Sequence, residues 1–137
     1  RDRSVSRGLG DVYKRQVVYS SDSEERQVVE IMYDKSQMMR GTLEGCILKI
    51  ISVETTYGYE IVTKLQDFGF EDMKEGTIYP ILVRLEKKNM ISSQFRPSPL
   101  GPSRKYYSLT REGQEQLNEF EICWRSVSDT VEAILKL

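Results

Sequence analysis

From residue 39 onward, apolar residues recur along this chain at helical spacing. Met39, Leu43, Cys46, Ile47, Ile50 and Ile51 form one continuous stripe, which predicts a helix over about 36–53. A second helix should begin at Thr56 or Tyr57, with Thr56 as a candidate N-cap. It would bury Ile61, Val62, Leu65 and Phe68 and stop at Gly69. The acidic loop 70–75 follows. Pro80 lacks an N–H and is tolerated in a first turn, so a third helix should start near Gly76 or Thr77. Its inner face is Ile78, Ile81, Leu82 and Leu85, and Asn89 suits the left-handed position after its end.

A period of two then replaces the helical one. Met90 to Phe95 sets Ile91 and Phe95 on one side, Ser92 and Gln94 on the other, and Tyr106 to Leu109 returns with Tyr107 and Leu109 inward. Between them, Arg96–Arg104 holds three prolines and a glycine, residues that do not continue a ladder, and so predicts the hairpin tip. Thr110 can cap a fourth helix reaching about Leu135. Along it Leu117, Phe120, Trp124, Val127, Val131 and Ile134 step by 3, 4, 3, 4, 3, the pattern of a coiled-coil seam. Ile122, Cys123 and Leu135 add further apolar surface. Such a helix needs a partner, and dimerisation through it, supported by the first helix, is the expected solution.

Charge changes what this pattern means. The chain of 137 residues has a net charge of −1, which on its face argues against a polyanionic partner. Yet between Arg84 and Arg111 there are seven basic residues (Arg84, Lys87, Lys88, Arg96, Arg104, Lys105, Arg111) and one acidic residue, Glu86. The flanks are acidic: two basic against six acidic residues over 54–75, and the same over 112–137. Local patches decide where a polyanion docks. A helix running into a basic hairpin is how a winged helix-turn-helix meets DNA, and the expected fold is α+β, mostly α, with that domain and a C-terminal dimerisation helix. Gly76, Pro80, Val83 and Lys87 would face outward on the third helix, with a backbone-exposing N-terminus suited to a major groove or a phosphate.

Other chemistry is scarce. There is no histidine, which removes His-based metal sites and His-dependent nucleophile pairs, and no phosphate-binding glycine loop is present. No metal, cofactor or catalytic residue is expected, and the chain is not read as an enzyme. Cys46 and Cys123 lie on the apolar sides of their predicted helices and read as buried small hydrophobes. No apolar run approaches the roughly 20 residues that cross a bilayer, and no signal peptide is visible, so no membrane partner and a cytoplasmic location are expected. Residues 1–31 carry six basic and six acidic residues without periodicity. They read as a disordered or non-native leader, with the native start near Met32, a DNA-binding domain over 32–110 and the dimerisation helix over 111–137.

Four blocks then stand in order: Gly41-Thr-Leu-Glu-Gly45, Tyr57-Gly-Tyr-Glu-Ile61, Glu75-Gly-Thr-Ile-Tyr-Pro-Ile-Leu-Val-Arg-Leu-Glu86 and Ser103-Arg-Lys-Tyr-Tyr-Ser-Leu-Thr-Arg-Glu-Gly113. With these, the chain over about 36–135 resembles the PadR-like transcriptional regulators, in the short form with a single C-terminal helix. The resemblance implies a homodimeric winged helix-turn-helix repressor on double-stranded DNA with an inverted-repeat operator. It also implies, for some members, a small aromatic ligand held between tryptophans at the dimer interface, a position that Trp124 matches. Lys74 departs from the family, which often has a capping serine there.

The expected DNA contacts are Thr77 and Tyr79 at the groove or backbone, Arg84, Lys87 and Lys88 mainly at phosphate, and Arg96, Arg104 and Lys105 at phosphate or the minor groove from the wing. Tyr79 could instead pack against the wing, and Tyr106 and Tyr107 could serve wing packing alone. The dimer interface would take Leu117, Phe120, Trp124, Val127, Val131 and Ile134. Trp124 is either an effector platform or plain seam. A rival reading is a winged-helix protein-interaction module that binds no DNA, which the acidic second and fourth helices favour.

Overall fold

The computed structural model describes residues 15–19, 26–30 and 33–137, and these divide at Arg40/Gly41 into two compact units. In the first, β1 (Arg15–Tyr19) and β2 (Arg26–Glu30) pair antiparallel, Val17 opposite Val28. The expected leader, residues 1–31, otherwise lies outside the described residues, as does Met32; its sequence did not suggest this strand pair. Helix α1 (Lys35–Met39) follows, capped by the Asp34 carboxylate, which accepts from the Gln37 amide at 3.1 Å.

The second unit holds α2 (Leu43–Val53), β3 (Thr56–Tyr57), α3 (Gly58–Phe68), α4 (Glu75–Lys87), β4 (Ile91–Ser98), β5 (Gly101–Leu109) and α5 (Arg111–Leu135). The single helix expected over 36–53 is thus two, separated by a 3₁₀ turn at Arg40–Thr42. Gly41 sits in that turn, where its low helix propensity makes a break inexpensive. The strands form one antiparallel sheet in the order β3-β5-β4. Ile47, Leu48, Ile51, Ile61, Leu65, Ile78, Leu82, Leu85 and Ile91 are all but fully buried between helices and sheet.

Local rules explain most of the joints. The end of α3 is a Schellman turn: Gly69 takes a φ of 123°, its amide donates to the Gln66 carbonyl and that of Phe70 to the Leu65 carbonyl. This reversal turns the next side chain inward. Phe70 is therefore 8% exposed and Phe68, expected in the core, is 77% exposed. Thr56 does not cap α3; it belongs to β3, is buried, and donates its hydroxyl to the Glu60 carboxylate at 2.8 Å.

Helix α4 ends as expected on Asn89, whose φ is 61°, with the Met90 amide donating to the Leu85 carbonyl. Its start is one residue earlier than expected, at Glu75, so Pro80 stands in the second turn rather than the first. The missing N–H leaves the Gly76 carbonyl without its helical donor.

The hairpin is longer than expected. Its ladder continues through Arg96 opposite Arg104 and closes at Ser98 opposite Gly101, so Arg96–Arg104 is strand as well as tip. Pro97 and Pro102 fall where the register shifts between Arg96 and Ser98, and a bulge is a place where a strand tolerates residues that donate no ladder bond. Thr110 caps α5, accepting from the Gly113 amide at 3.0 Å.

Candidate nucleic-acid interface

Helices α3 and α4 with the β4–β5 hairpin form a helix-turn-helix followed by a wing. On α4 the core takes Ile78, Leu82 and Leu85, with Ile81 half-buried, and leaves Gly76, Thr77, Pro80, Val83, Arg84 and Lys87 exposed. Lys74 occupies the N-cap position and makes no side-chain cap bond, as its departure from serine implies. Lys87 and Lys88 are exposed at the C-terminal end, where the helix dipole favours positive charge.

Tyr79 reaches from α4 back toward α3. Its ring covers Gly58 at the start of α3, so closely that a Cβ there would come within 2.6 Å of the ring. It is also near enough to the buried wing residue Tyr107 to act on its phenol, and it keeps 41% of its surface exposed. Burial, and then the Glu75 carboxylate, push its phenol above the usual tyrosine range.

The register divides the wing's charges between two faces. Ile91 opposite Leu109, Ser93 opposite Tyr107 and Phe95 opposite Lys105 share one face, and Tyr107 is buried there. The same face meets the end of α4, where the Glu86 carboxylate accepts from the Ser93 hydroxyl and pairs with Lys105 at 3.0 Å. These two partners, the serine first, hold the Glu86 carboxyl below the usual glutamate range, and Glu86 raises the Lys105 ammonium above its own. Phe95 shares that face but lies beyond its cover and is exposed.

The other face carries Arg96, Arg104, Tyr106 and Tyr57. The Arg104 guanidinium lies over the Tyr57 ring, 4.6 Å from its centre, and that of Arg96 over the Tyr106 ring at 4.8 Å. The two tyrosines meet edge to face, 5.3 Å apart. Of the remaining cations, Arg84 is paired with Glu44 of α2 at 2.7 Å. Arg84 and Lys105, both expected on phosphate, therefore already hold carboxylates in the free chain.

Glu44, Glu86, Tyr57 and Gly58 escaped sequence reasoning. Only Glu86 gave a signal there, as the single acid within a run of seven bases. Among the described residues no group of three or more His, Cys, Asp or Glu could hold a metal ion, and no helix is long and apolar enough to cross a membrane.

Along α5 the expected seam divides in two. Leu117 is 2% exposed within the chain's own core, and the Phe120 ring lies against Gly45 of α2, so Leu117 offers nothing to a partner and Phe120 only part of itself. From Trp124 onward the stripe is open: Trp124, Val127, Val131 and Ile134 are each about half exposed. Cys123, expected to be buried, is exposed, because α5 has by then outrun the elements it packs on. Cys46 is half-buried, and burial raises its thiol above the usual range.

This architecture is that of a winged helix-turn-helix protein. The family model for the PadR-like transcriptional regulators matches residues 47–119. A PadR-like transcriptional regulator from Bacillus cereus is 51% identical, with a TM-score of 0.68 over 74% of this chain and 98% of its own. A Streptococcus transcriptional regulator is 47% identical, with a TM-score of 0.65 over 72% and 96%. An uncharacterised protein of Lysinibacillus sphaericus is 32% identical over 105 residues, 74% of this chain and 95% of its own. The chain belongs to the PadR-like family of transcriptional regulators.

Proposed function

We propose that this chain is a DNA-binding repressor that acts as a homodimer on an inverted-repeat operator in the bacterial cytoplasm. The observation that carries the reading is the exposed outer face of α4, followed directly by a wing bearing Arg96 and Arg104 on its open face. In this reading Thr77 and Tyr79 approach the groove from the α4 N-terminus. Lys87, Lys88, Arg96 and Arg104 take phosphates, which position the protein without reading sequence. Arg84 and Lys105 join them on leaving Glu44 and Glu86.

The second copy covers the α5 stripe formed by Trp124, Val127, Val131 and Ile134. In the dimer Trp124 offers a planar aromatic face to a small aromatic effector.

Selection of bound duplexes from a random pool tests the DNA reading. A recovered palindrome with half-sites about one helical turn apart is expected of a symmetric dimer. A folded chain that enriches no sequence would instead favour a protein-interaction module. Titration of planar aromatic compounds against the fluorescence of the sole tryptophan tests the effector, and absence of quenching would refute it.

A further inference from the structure

We infer that Tyr57 and Tyr106 are positioning residues for DNA binding: they hold the guanidinium groups of Arg104 and Arg96 as a pre-ordered pair of phosphate donors. The inference rests on the reading that the wing meets DNA. The wing carries a cost. Arg96 and Arg104 are directly opposite each other on neighbouring strands, and like charges so placed repel. A fold that needed only a hairpin would not put them there.

Their side chains separate by stacking on different rings. Arg104 reaches diagonally from β5 to Tyr57 on β3, and Arg96 diagonally from β4 to Tyr106 on β5. The Tyr57–Tyr106 contact ties the two stacks together, so the order across the sheet is guanidinium, ring, ring, guanidinium.

A ring covers one side of a guanidinium and cannot accept all five of its N–H donors, which stay available to phosphate. A donor held in place before binding loses less freedom on binding. Neither tyrosine need touch DNA for this. Both keep partial exposure although Tyr107, one residue away on the opposite face, is buried in the core. The sequence blocks Tyr57-Gly-Tyr and Arg104-Lys-Tyr-Tyr thus meet in one device.

The test is a double-mutant cycle on a labelled mixed-sequence duplex, titrated over a range of salt. Arg104→Ala should lower the slope of log K against log salt by about 0.9, one phosphate contact. Tyr57→Leu should weaken binding about two- to fivefold and leave the slope unchanged, while Tyr57→Phe binds as the native chain does. In the Arg104→Ala background, Tyr57→Leu should cost nothing further.

If Arg104→Ala keeps the native slope, the wing reading fails and this inference fails with it. If Arg104→Ala lowers the slope but Tyr57→Leu still exacts its full cost in that background, the inference alone is overturned. Should the leucine variant not fold, the side-chain NMR signals of Arg104 in the native chain without DNA decide. Ring-shifted, ordered signals are expected, and free-arginine shifts would overturn the stack.

Discussion

Replacing Gly113 by alanine sets two effects of opposite sign against each other. Gly113 is in the first turn of α5, and alanine in a helix is worth about 0.5–1 kcal/mol more than glycine. Against this, a Cβ at position 113 would stand 2.0 Å from the Met90 carbonyl oxygen and 2.7 Å from Leu109 Cδ1. Carbon and oxygen rest roughly 3.3 Å apart even in close contacts, so helix and joint must separate by more than about 1 Å. Neither side yields freely. The Met90 carbonyl accepts from the Thr110 amide at 3.1 Å, and the Thr110 hydroxyl donates to the Asn89 carbonyl at 2.7 Å while accepting from the Gly113 amide.

Overpacking of this kind costs about 1–3 kcal/mol, and a lost hydrogen bond about 1 kcal/mol more. The clash wins. We expect a net loss on the order of 2 kcal/mol, or roughly a 10 °C fall in Tm for a domain of this size, measured by circular dichroism and checked by urea unfolding. Gly76→Ala is the control. It occupies the first turn of α4, nothing beyond its own stretch of helix lies within 4 Å of the added Cβ, and its Tm should rise by a few degrees. A Gly113→Ala chain melting at or above the native temperature would refute the reasoning.

The same Gly76→Ala chain should bind duplex DNA roughly tenfold more weakly despite its firmer fold, since the added methyl overpacks a close backbone approach; undiminished binding would show that the α4 N-terminus stays clear of DNA. Lys105→Ala should change the salt slope less than Arg104→Ala, whose loss is about 0.9, because Lys105 reaches phosphate only where it has left Glu86; equal changes would show that it leaves Glu86 completely on binding. Because the folded Glu86 carboxyl is held low, its contribution is fully present above the ordinary glutamate value of 4.5 and is lost as pH falls through the lowered one. The stability gap between the native chain and Glu86→Gln, at most about 1 kcal/mol, should therefore close on acidification, and a gap unchanged at low pH would exclude the carboxylate as its source. Iodoacetamide should label exposed Cys123 at least about tenfold faster than Cys46, whose thiol is half-buried and raised, with mass spectrometry of a dilute sample as the measure.

How much of this was legible in the sequence depended on the range of the interaction involved. Asn89 past the end of α4 and Thr110 at the start of α5 follow from local chemistry, and both stand where the sequence put them. That Ile91 and Phe95 lie on one face of their strand, and Tyr107 and Leu109 on one face of theirs, follows from strand alternation alone. Phe68 and Phe70 exchanged roles because one positive φ at Gly69 resets which side chain points inward, and periodicity does not foresee that. The prolines were overweighted as breakers because the bulge that accommodates them is a property of two strands together.

Among the candidate DNA contacts, the cations were legible as a patch but their individual duties were not. Arg104 and Lys105 are neighbours in sequence and face opposite ways in the sheet, one toward Tyr57 and the other toward Glu86. On α5 the heptad pattern is continuous, but the fold consumes its first part and leaves the rest, because α2 reaches only as far as Phe120.

The bonds that fix the first turn of α5 meet the chain at Asn89 and Met90, the two residues where α4 ends and the wing begins. A helix of 25 residues is about 37 Å long, so α5 is a long arm seated on the fold as far as Phe120 and open beyond it. Gearing follows from that proportion. A swing of several ångströms at the far end, where Ile134 lies, turns the first turn through only a few degrees and moves the joint by tenths of an ångström. A pull at the far end of the arm would thus reach the joint only as a small change of angle between helix and wing.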